Sequence, residues 1–284
     1  MNKEKLFLFI LAPAMFTHIM DFMIMMPLGS QLMRIFSIDP RQFSLLVSSY
    51  TFSAGAAGFI AAFQIDRFDR KSMLLFIYIG FTLGTIACAL APSYPILLIT
   101  RSLAGAFGGV LGALILSIIS DAIPLERRAA GIGLVMASFS AASVFGVPFG
   151  LYLATIFSWH APFLFLGGMG IIISALIYFF IPSMRDHLQS EQDRMSPWAV
   201  VKSILKNRNA LMGLLFTSVL MFGHFTIIPF IAPYMVGNVG FSEEQLSYIY
   251  LVGGALTIFT SPRVGRAADK YGRLPIFTIF GRLV

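Results

Sequence analysis

The chain has 284 residues, 57% of them hydrophobic and 12% charged, with a mean hydropathy of +0.84 and a formal net charge of +7. Soluble domains carry about 25% charged residues, so an ordinary soluble class is excluded and an integral membrane protein is expected. The single cysteine, Cys88, excludes a disulfide or metal framework within one chain and is read as packing.

A helix needs about 20 apolar residues to cross a hydrocarbon core about 30 Å thick. Eight such runs occur, at about 6–26, 43–63, 73–91, 95–117, 130–155, 162–181, 209–232 and 244–262. The first follows the basic start MNKEK and contains Ala12 and Ala14 in an A-x-A arrangement. A cleaved signal peptide is therefore one reading, but the run continues unbroken to Met26, which favours a retained span. It holds Asp21, with His18 three residues earlier on the same helix face. Met15, Met20, Met23, Met25 and Met26 also fall there, either as adaptable pocket lining or as plain filler.

After the second span, FQIDRFDRKSMLL (63–75) crowds Asp66, Arg67, Asp69, Arg70 and Lys71 together. The fourth span carries Arg101. At about 1.5 Å of rise per residue, Asp21 and Arg101 lie roughly 8 Å and roughly 9 Å inside the outer ends of their spans, so they share a layer. Charges inside spans are costly and mark ion or substrate pathways. One reading makes Asp21 a proton carrier tuned by Arg101, because burial and a nearby cation pull a carboxyl's proton affinity in opposite directions. The other is a structural ion pair locking the first and fourth helices. His18 either relays the proton or is a neutral, hydrogen-bonded interior histidine.

DAIPLERRAAG (121–131) turns the chain between the fourth and fifth spans and offers Asp121 and Arg127. In the fifth span, GVPFG supplies Gly146, Pro148 and Gly150. They permit close approach and a bend, though glycine and proline are common in membrane helices generally. The longest polar stretch, 182–209, reads as a linker. From Trp198 to Leu205 its apolar residues share one face, as in an interfacial helix, with a solvated tether as the alternative. His224 lies in the seventh span. After the eighth, GRAADKYGRLPIF (265–277) repeats the earlier charge spacing. A ninth run begins near Leu274, too short to cross before Val284, so the chain is expected to be C-terminally incomplete.

Sixteen of the 20 Lys and Arg residues fall on the side of the N-terminus. Arg34 and Arg41 fall on the other side, and Arg101 and Arg282 fall within spans. The positive-inside rule makes the N-terminus cytoplasmic. The same bias toward an anionic inner leaflet accounts for the net charge, and no nucleic-acid module is present.

Asp66 follows the second span and Asp269 the second span after the linker, the pattern of a six-helix repeat with substrate bound at the midplane. Gly265, Asp269, Lys270, Gly272 and Arg273 fit the loop motif G-x-x-x-D-[RK]-x-G-[RK]-[RK], departing at Leu274. The first copy keeps Asp66, Arg67, Arg70 and Lys71 but has Ala62 and Asp69 where the motif has glycines. Arg101 with Gly105 fits R-x-x-x-G in the fourth helix, and GVPFG fits a fifth-helix antiporter motif. With these motifs in this order the whole chain resembles the major facilitator superfamily, specifically its twelve-span drug or sugar proton antiporters of the sugar-efflux type.

The resemblance implies an all-α, polytopic membrane helical bundle: a six-helix N-terminal half (1–181), a cytoplasmic linker (182–208) and an incomplete C-terminal half (209–284). It implies that the two charge clusters are cytoplasmic gates, with Asp121 and Arg127 tied into the same network. Asp269 would meet the start of the fifth span near Ala129 at a helix N-terminus, where negative charge is favoured. Otherwise the charges merely enforce topology. It implies that Gly146, Pro148 and Gly150 serve antiport, and that Tyr50 and Phe139 line the pocket. His224 would either face that pocket from the other half or serve in packing.

The expected function is secondary active transport in the cell (inner) membrane: proton-coupled efflux of a small organic molecule, drug or sugar, by alternating access. Small-molecule substrate, protons and lipid are the expected partners, and the family mostly works as monomers. The alternatives are an importer of the same type, or a truncated, non-transporting protein that binds a ligand or partner. No HExxH pair, G-x-S-x-G, Walker loop or carboxylate pair within a span suggests an enzyme, and no cofactor or metal is expected.

Overall fold

The computed structural model describes residues 3–185, 197–272, 275 and 277–279. Its elements are α1 (Lys3–Ile24), α2 (Gly29–Phe36), α3 (Pro40–Ala62), a 3-10 turn (Ile65–Arg67), α4 (Arg70–Ala89), α5 (Tyr94–Ala122) and α6 (Leu125–Ala141). A π-helical turn (Ala142–Gly146), α7 (Val147–Ile156), α8 (His160–Phe180), α9 (Pro197–Lys206), α10 (Arg208–Tyr234), a second π turn (Met235–Val239) and α11 (Glu243–Tyr271) follow. No strand occurs among the described residues.

Among the described residues, seven segments are long and apolar enough to cross a membrane: Glu4–Ile24, Pro40–Ala62, Arg70–Ala89, Tyr94–Ala122, Leu125–Ile156, His160–Phe180 and Arg208–Val239. They coincide with the first seven predicted runs. The eighth, 244–262, falls inside α11, which is long enough at 29 residues but is not among the seven. Gln245, Ser247, Tyr248 and Tyr250 dilute its apolar character. The first run does not reach Met26 as one helix. α1 stops at Ile24 ahead of Pro27, and the short α2 follows, burying Gly29 and Leu32. It ends where Ser37 takes a left-handed conformation at φ 51°.

Local chemistry sets the other boundaries. Asp39 accepts from the Gln42 N–H at 2.7 Å, and Gln42 returns a bond to the Asp39 N–H at 3.0 Å, a reciprocal cap with Pro40 at the first helical position. Within the fifth span Pro148 has no N–H to give, and the chain accommodates this with the π turn, where the Val147 N–H reaches back to the Ala142 carbonyl.

Two apolar clusters fill the bundle. One, toward the side where the chain starts (the N-side), gathers Ile10, Leu74, Leu114 and Ile177. The other, toward the far side, gathers Ile24, Phe43, Leu97 and Trp159. Of the five methionines of the first predicted run, Met15, Met20, Met25 and Met26 are buried in these clusters, so most serve as packing. α10 is different: most of its side chains are exposed, with Pro229 and Ala232 buried. It meets the first six spans near the far side, where the Pro233 ring stands against Gly29 and Phe225 against Phe22. α11 packs along α7 and the first π turn, where Gly254 lets Val144 come close.

Candidate functional site

At the seam between the two clusters lies a polar layer. Asp21 on α1 is 0% exposed and Arg101 on α5 is 1% exposed, and Arg101 Nη1 stands 2.9 Å from Asp21 Oδ2. The same nitrogen donates to the Asp21 backbone carbonyl at 3.4 Å, and the Thr85 hydroxyl on α4 donates to Asp21 Oδ1 at 3.1 Å. Arg101 Nε has no acceptor among the described residues. The guanidinium carbon lies 4.4 Å from the Tyr50 ring centroid and 6.0 Å from that of Phe163, both within cation–π range. Cys88 is fully buried and interacts electrostatically with both members of the pair.

His18 connects to this layer through Tyr50, whose Oη lies 3.3 Å from His18 Nδ1. The small residues of α5 make that contact possible. A Cβ on Gly105 would strike the Tyr50 carbonyl and one on Gly108 the Tyr50 hydroxyl, so α3 and α5 approach closely only because both are glycine. Gly146 and Gly150 do the same between the fifth span and α1. A Cβ at Gly150 would lie 2.6 Å from Ile24 Cδ1, and one at Gly146 would lie 3.1 Å from Met20 Sδ.

On the N-side, a second network joins α4, α5 and the segment after α8. Arg70, 4% exposed, donates from Nε to Asp121 Oδ2 at 2.9 Å. Asp69, standing where the loop motif has a glycine, caps α4 by accepting from the Lys71 N–H at 3.2 Å. It also accepts from the Ser183 hydroxyl at 2.8 Å and the Met184 N–H at 2.7 Å. Partial burial raises the Asp69 pKa, but hydrogen bonds from Met184, Ser183, Lys71 and Ser72 outweigh it and hold the carboxyl below its ordinary value.

The other sequence-derived gate residues are dispersed. Arg127 pairs with Glu4 at 3.0 Å, and Lys71 Nζ lies 5.6 Å from the Tyr178 ring, while Arg67 is exposed. Lys270 is exposed near the Tyr271 ring, and Gly272, at φ 94°, follows the end of α11. The side chains of Asp66 and Asp269, and all of Arg273, lie outside the described residues; Gly265 lies within α11.

Of the pocket candidates, Tyr50 is 2% exposed and committed to the polar layer, Phe139 is 52% exposed, and His224 is exposed beside Phe225. None lines the cavity of about 590 Å³ between α3 and α10. Its wall pairs the hydroxyls of Ser44, Ser48 and Thr51 with the rings of Phe222, Phe225 and Phe230. Sequence reasoning missed Thr85. The available signal was Tyr78, Thr82 and Thr85, three buried polar side chains at helical spacing on one face of an apolar span.

The family model described as Major Facilitator Superfamily matches residues 11–284. AraJ of Escherichia coli (strain K12), named as a transporter, is 29% identical over 82% of this chain and 58% of its own length. A "Probable sugar efflux transporter" of Helicobacter pylori (strain ATCC 700392 / 26695) is 24% identical over 86% of this chain and 61% of its own. The chain thus spans less than two thirds of these curated relatives. Among solved structures, an inward-facing, unoccupied bacterial homologue of the human lysosomal transporter Spinster shares the fold. Its TM-score is 0.78 at 19% identity, covering 96% of this chain and 64% of that one. A D-xylose-proton symporter gives a TM-score of 0.73 at 15% identity, covering 93% and 68%.

Proposed function

Because this chain belongs to the Major Facilitator Superfamily, we propose that it is part of a proton-coupled exporter of small organic molecules, with Asp21 as the proton carrier. The observation that carries this reading is the fully buried ion pair of Asp21 with Arg101 in the seam of the bundle. An intramembrane carboxylate is a costly group that a purely structural helix contact does not need. A proton arriving at Asp21 removes the counter-charge of Arg101, so protonation and the arrangement of helices α1 and α5 are physically linked.

In this reading residues 1–181 and 209–284 are the rocking halves, 182–208 joins them on the cytoplasmic side, and the N-terminus is cytoplasmic. The far-side contacts of α10 with α1 and α2 fit a pocket open to the N-side, as in the inward-facing Spinster homologue. Export is favoured by Gly146, Pro148 and Gly150, which seat the fifth span on α1, and by the name carried by the Helicobacter relative. The networks around Arg70, Asp121 and Asp69 are the gate on that side, Arg127 and Lys71 being peripheral to it. Hydroxyls facing aromatic rings across the cavity suit a neutral, partly apolar substrate such as a sugar derivative.

The test is transport by the protein in proteoliposomes carrying an imposed pH gradient, with radiolabelled sugars as probes. Substrate moves against the proton gradient in the wild type, and Asp21→Asn abolishes coupled movement while the protein still purifies folded. Sodium-dependent flux, or undiminished proton-driven flux in Asp21→Asn, overturns the reading. Movement of substrate and protons in the same direction makes it an importer.

A further inference from the structure

Tyr50 touches each part of the polar layer and also its way out. Its ring receives the Arg101 guanidinium at 4.4 Å, and its hydroxyl meets His18 at 3.3 Å. The same ring lies 5.4 Å from that of Phe22, tilted by 38°. Phe22 in turn stands edge-on to Phe225 of α10, with centroids 5.8 Å apart and planes at 67°. Two glycines, Gly105 and Gly108, clear the space in which Tyr50 sits. A charge pair in one half is therefore joined by three aromatic rings to the first helix of the other.

The neutral form of Asp21 leaves Arg101 with few partners. Beyond the carboxylate, its polar contacts among the described residues are the Asp21 carbonyl at 3.4 Å and the nearby Cys88 thiol. The aromatic faces of Tyr50 and Phe163 complete its surroundings. Attraction between a cation and a ring strengthens as water is excluded, and the nearer ring is that of Tyr50. Loss of the counter-charge therefore draws the guanidinium toward Tyr50, which is wedged between it and Phe22.

We propose that Tyr50 is a positioning residue that converts the protonation state of Asp21 into a change at the contact between α1 and α10. This rests on the reading of Asp21 as proton carrier. The titratable groups around it are His18 and Asp21 on α1, Cys88 on α4, Arg101 on α5 and, beside Phe225 on α10, the exposed His224. α8 contributes the uncharged ring of Phe163.

The test needs no substrate. Spin labels at Leu125→Cys and Tyr271→Cys, both exposed positions at the N-side ends of α6 and α11, report the opening of the halves, with the fully buried Cys88 left in place. Distance distributions are recorded in liposomes from about pH 5 to about pH 8, the range in which histidine and shifted carboxylates titrate. The labelled parent protein changes its populations with pH, and Asp21→Asn does not. Tyr50→Leu reduces the response about fivefold, the population effect of losing about 1 kcal/mol of cation–π contact. Tyr50→Phe, which keeps the ring, retains most of it.

Phe22→Leu and Phe225→Leu each weaken the response without touching Arg101, and combining either with Tyr50→Leu adds nothing further. These two variants also serve if Tyr50→Leu does not fold. A pH response that survives in Tyr50→Leu, or in Phe22→Leu and Phe225→Leu, overturns the role of Tyr50 while leaving Asp21 in place. An equal response in Asp21→Asn and the parent overturns the carrier reading, and this inference with it.

Discussion

The ion pairs Asp21 with Arg101 and Glu4 with Arg127 have almost the same nitrogen-to-oxygen distance, 2.9 and 3.0 Å, but the first pair is 0% and 1% exposed and the second 27% and 60%. Water screens the second pair and can replace either partner, so its net contribution is small. The first pair has no such substitute, and each charge depends on the other. Between them stands Arg70 with Asp121, at 2.9 Å with one side chain 5% and the other 34% exposed. Distance alone says little about what an ion pair does; the solvent each partner would meet if the other left decides it.

The largest effect should come from breaking the buried pair on one side only. Asp21→Ala leaves Arg101 unpaired in the bundle and should lower stability by about 3–5 kcal/mol, read as thermal unfolding in detergent. The double variant Asp21→Ala with Arg101→Met should recover most of that loss, because no charge is left behind. If the double variant were as unstable as the single, packing rather than charge would govern the site. Next is Gly108→Val, which drives a side chain into the Tyr50 hydroxyl and His18. Overpacking of this kind costs about 1–3 kcal/mol, and the same assay should show Gly133→Val, at a position with open space, to be far milder.

Asp69→Ala removes a helix cap together with the bonds to Ser183 and Met184, for about 1 kcal/mol or somewhat more. Its pH dependence has a definite sign. The folded-state pKa is depressed, so the stabilisation is present above the unfolded value of about 3.9 and is lost as pH falls through it toward the lower folded value. Stability curves of wild type and Asp69→Ala should therefore converge in acid and separate above it. Arg127→Ala should change stability by no more than about 0.5 kcal/mol, a difference that shrinks further with added salt.

Much of this architecture was legible because membrane helices announce themselves by length and apolarity. The common layer of Asp21 and Arg101 followed from helix rise alone, and the structure brings the two side chains together. Rise gives depth but not rotation about the axis, so the contacts of Thr85 and Tyr50 were not readable. Tyr50 was expected at the pocket wall from the resemblance; its ring is instead enclosed by α1 and α5. Pro148 signalled an irregularity in the fifth span, but not that one extra residue would enter the turn as a π bulge. Asp69 read as a departure from a glycine motif, and two of its partners, Ser183 and Met184, lie more than a hundred residues away in sequence, beyond any local pattern. α2 went unpredicted because eight residues are too few to register beside spans of 20.

The central claim is that Asp21 takes up and releases a proton inside the bundle. Difference infrared spectroscopy of the protein in lipid, titrated between acid and alkaline pH, tests it most directly. A protonated-carboxyl C=O band should appear as the pH falls, at the raised frequency of a dry, weakly hydrogen-bonded site, and should be missing in Asp21→Asn. A spectrum in which that band is absent across the titration, or unchanged by Asp21→Asn, would mean that the pair remains ionised throughout and is a structural lock between α1 and α5.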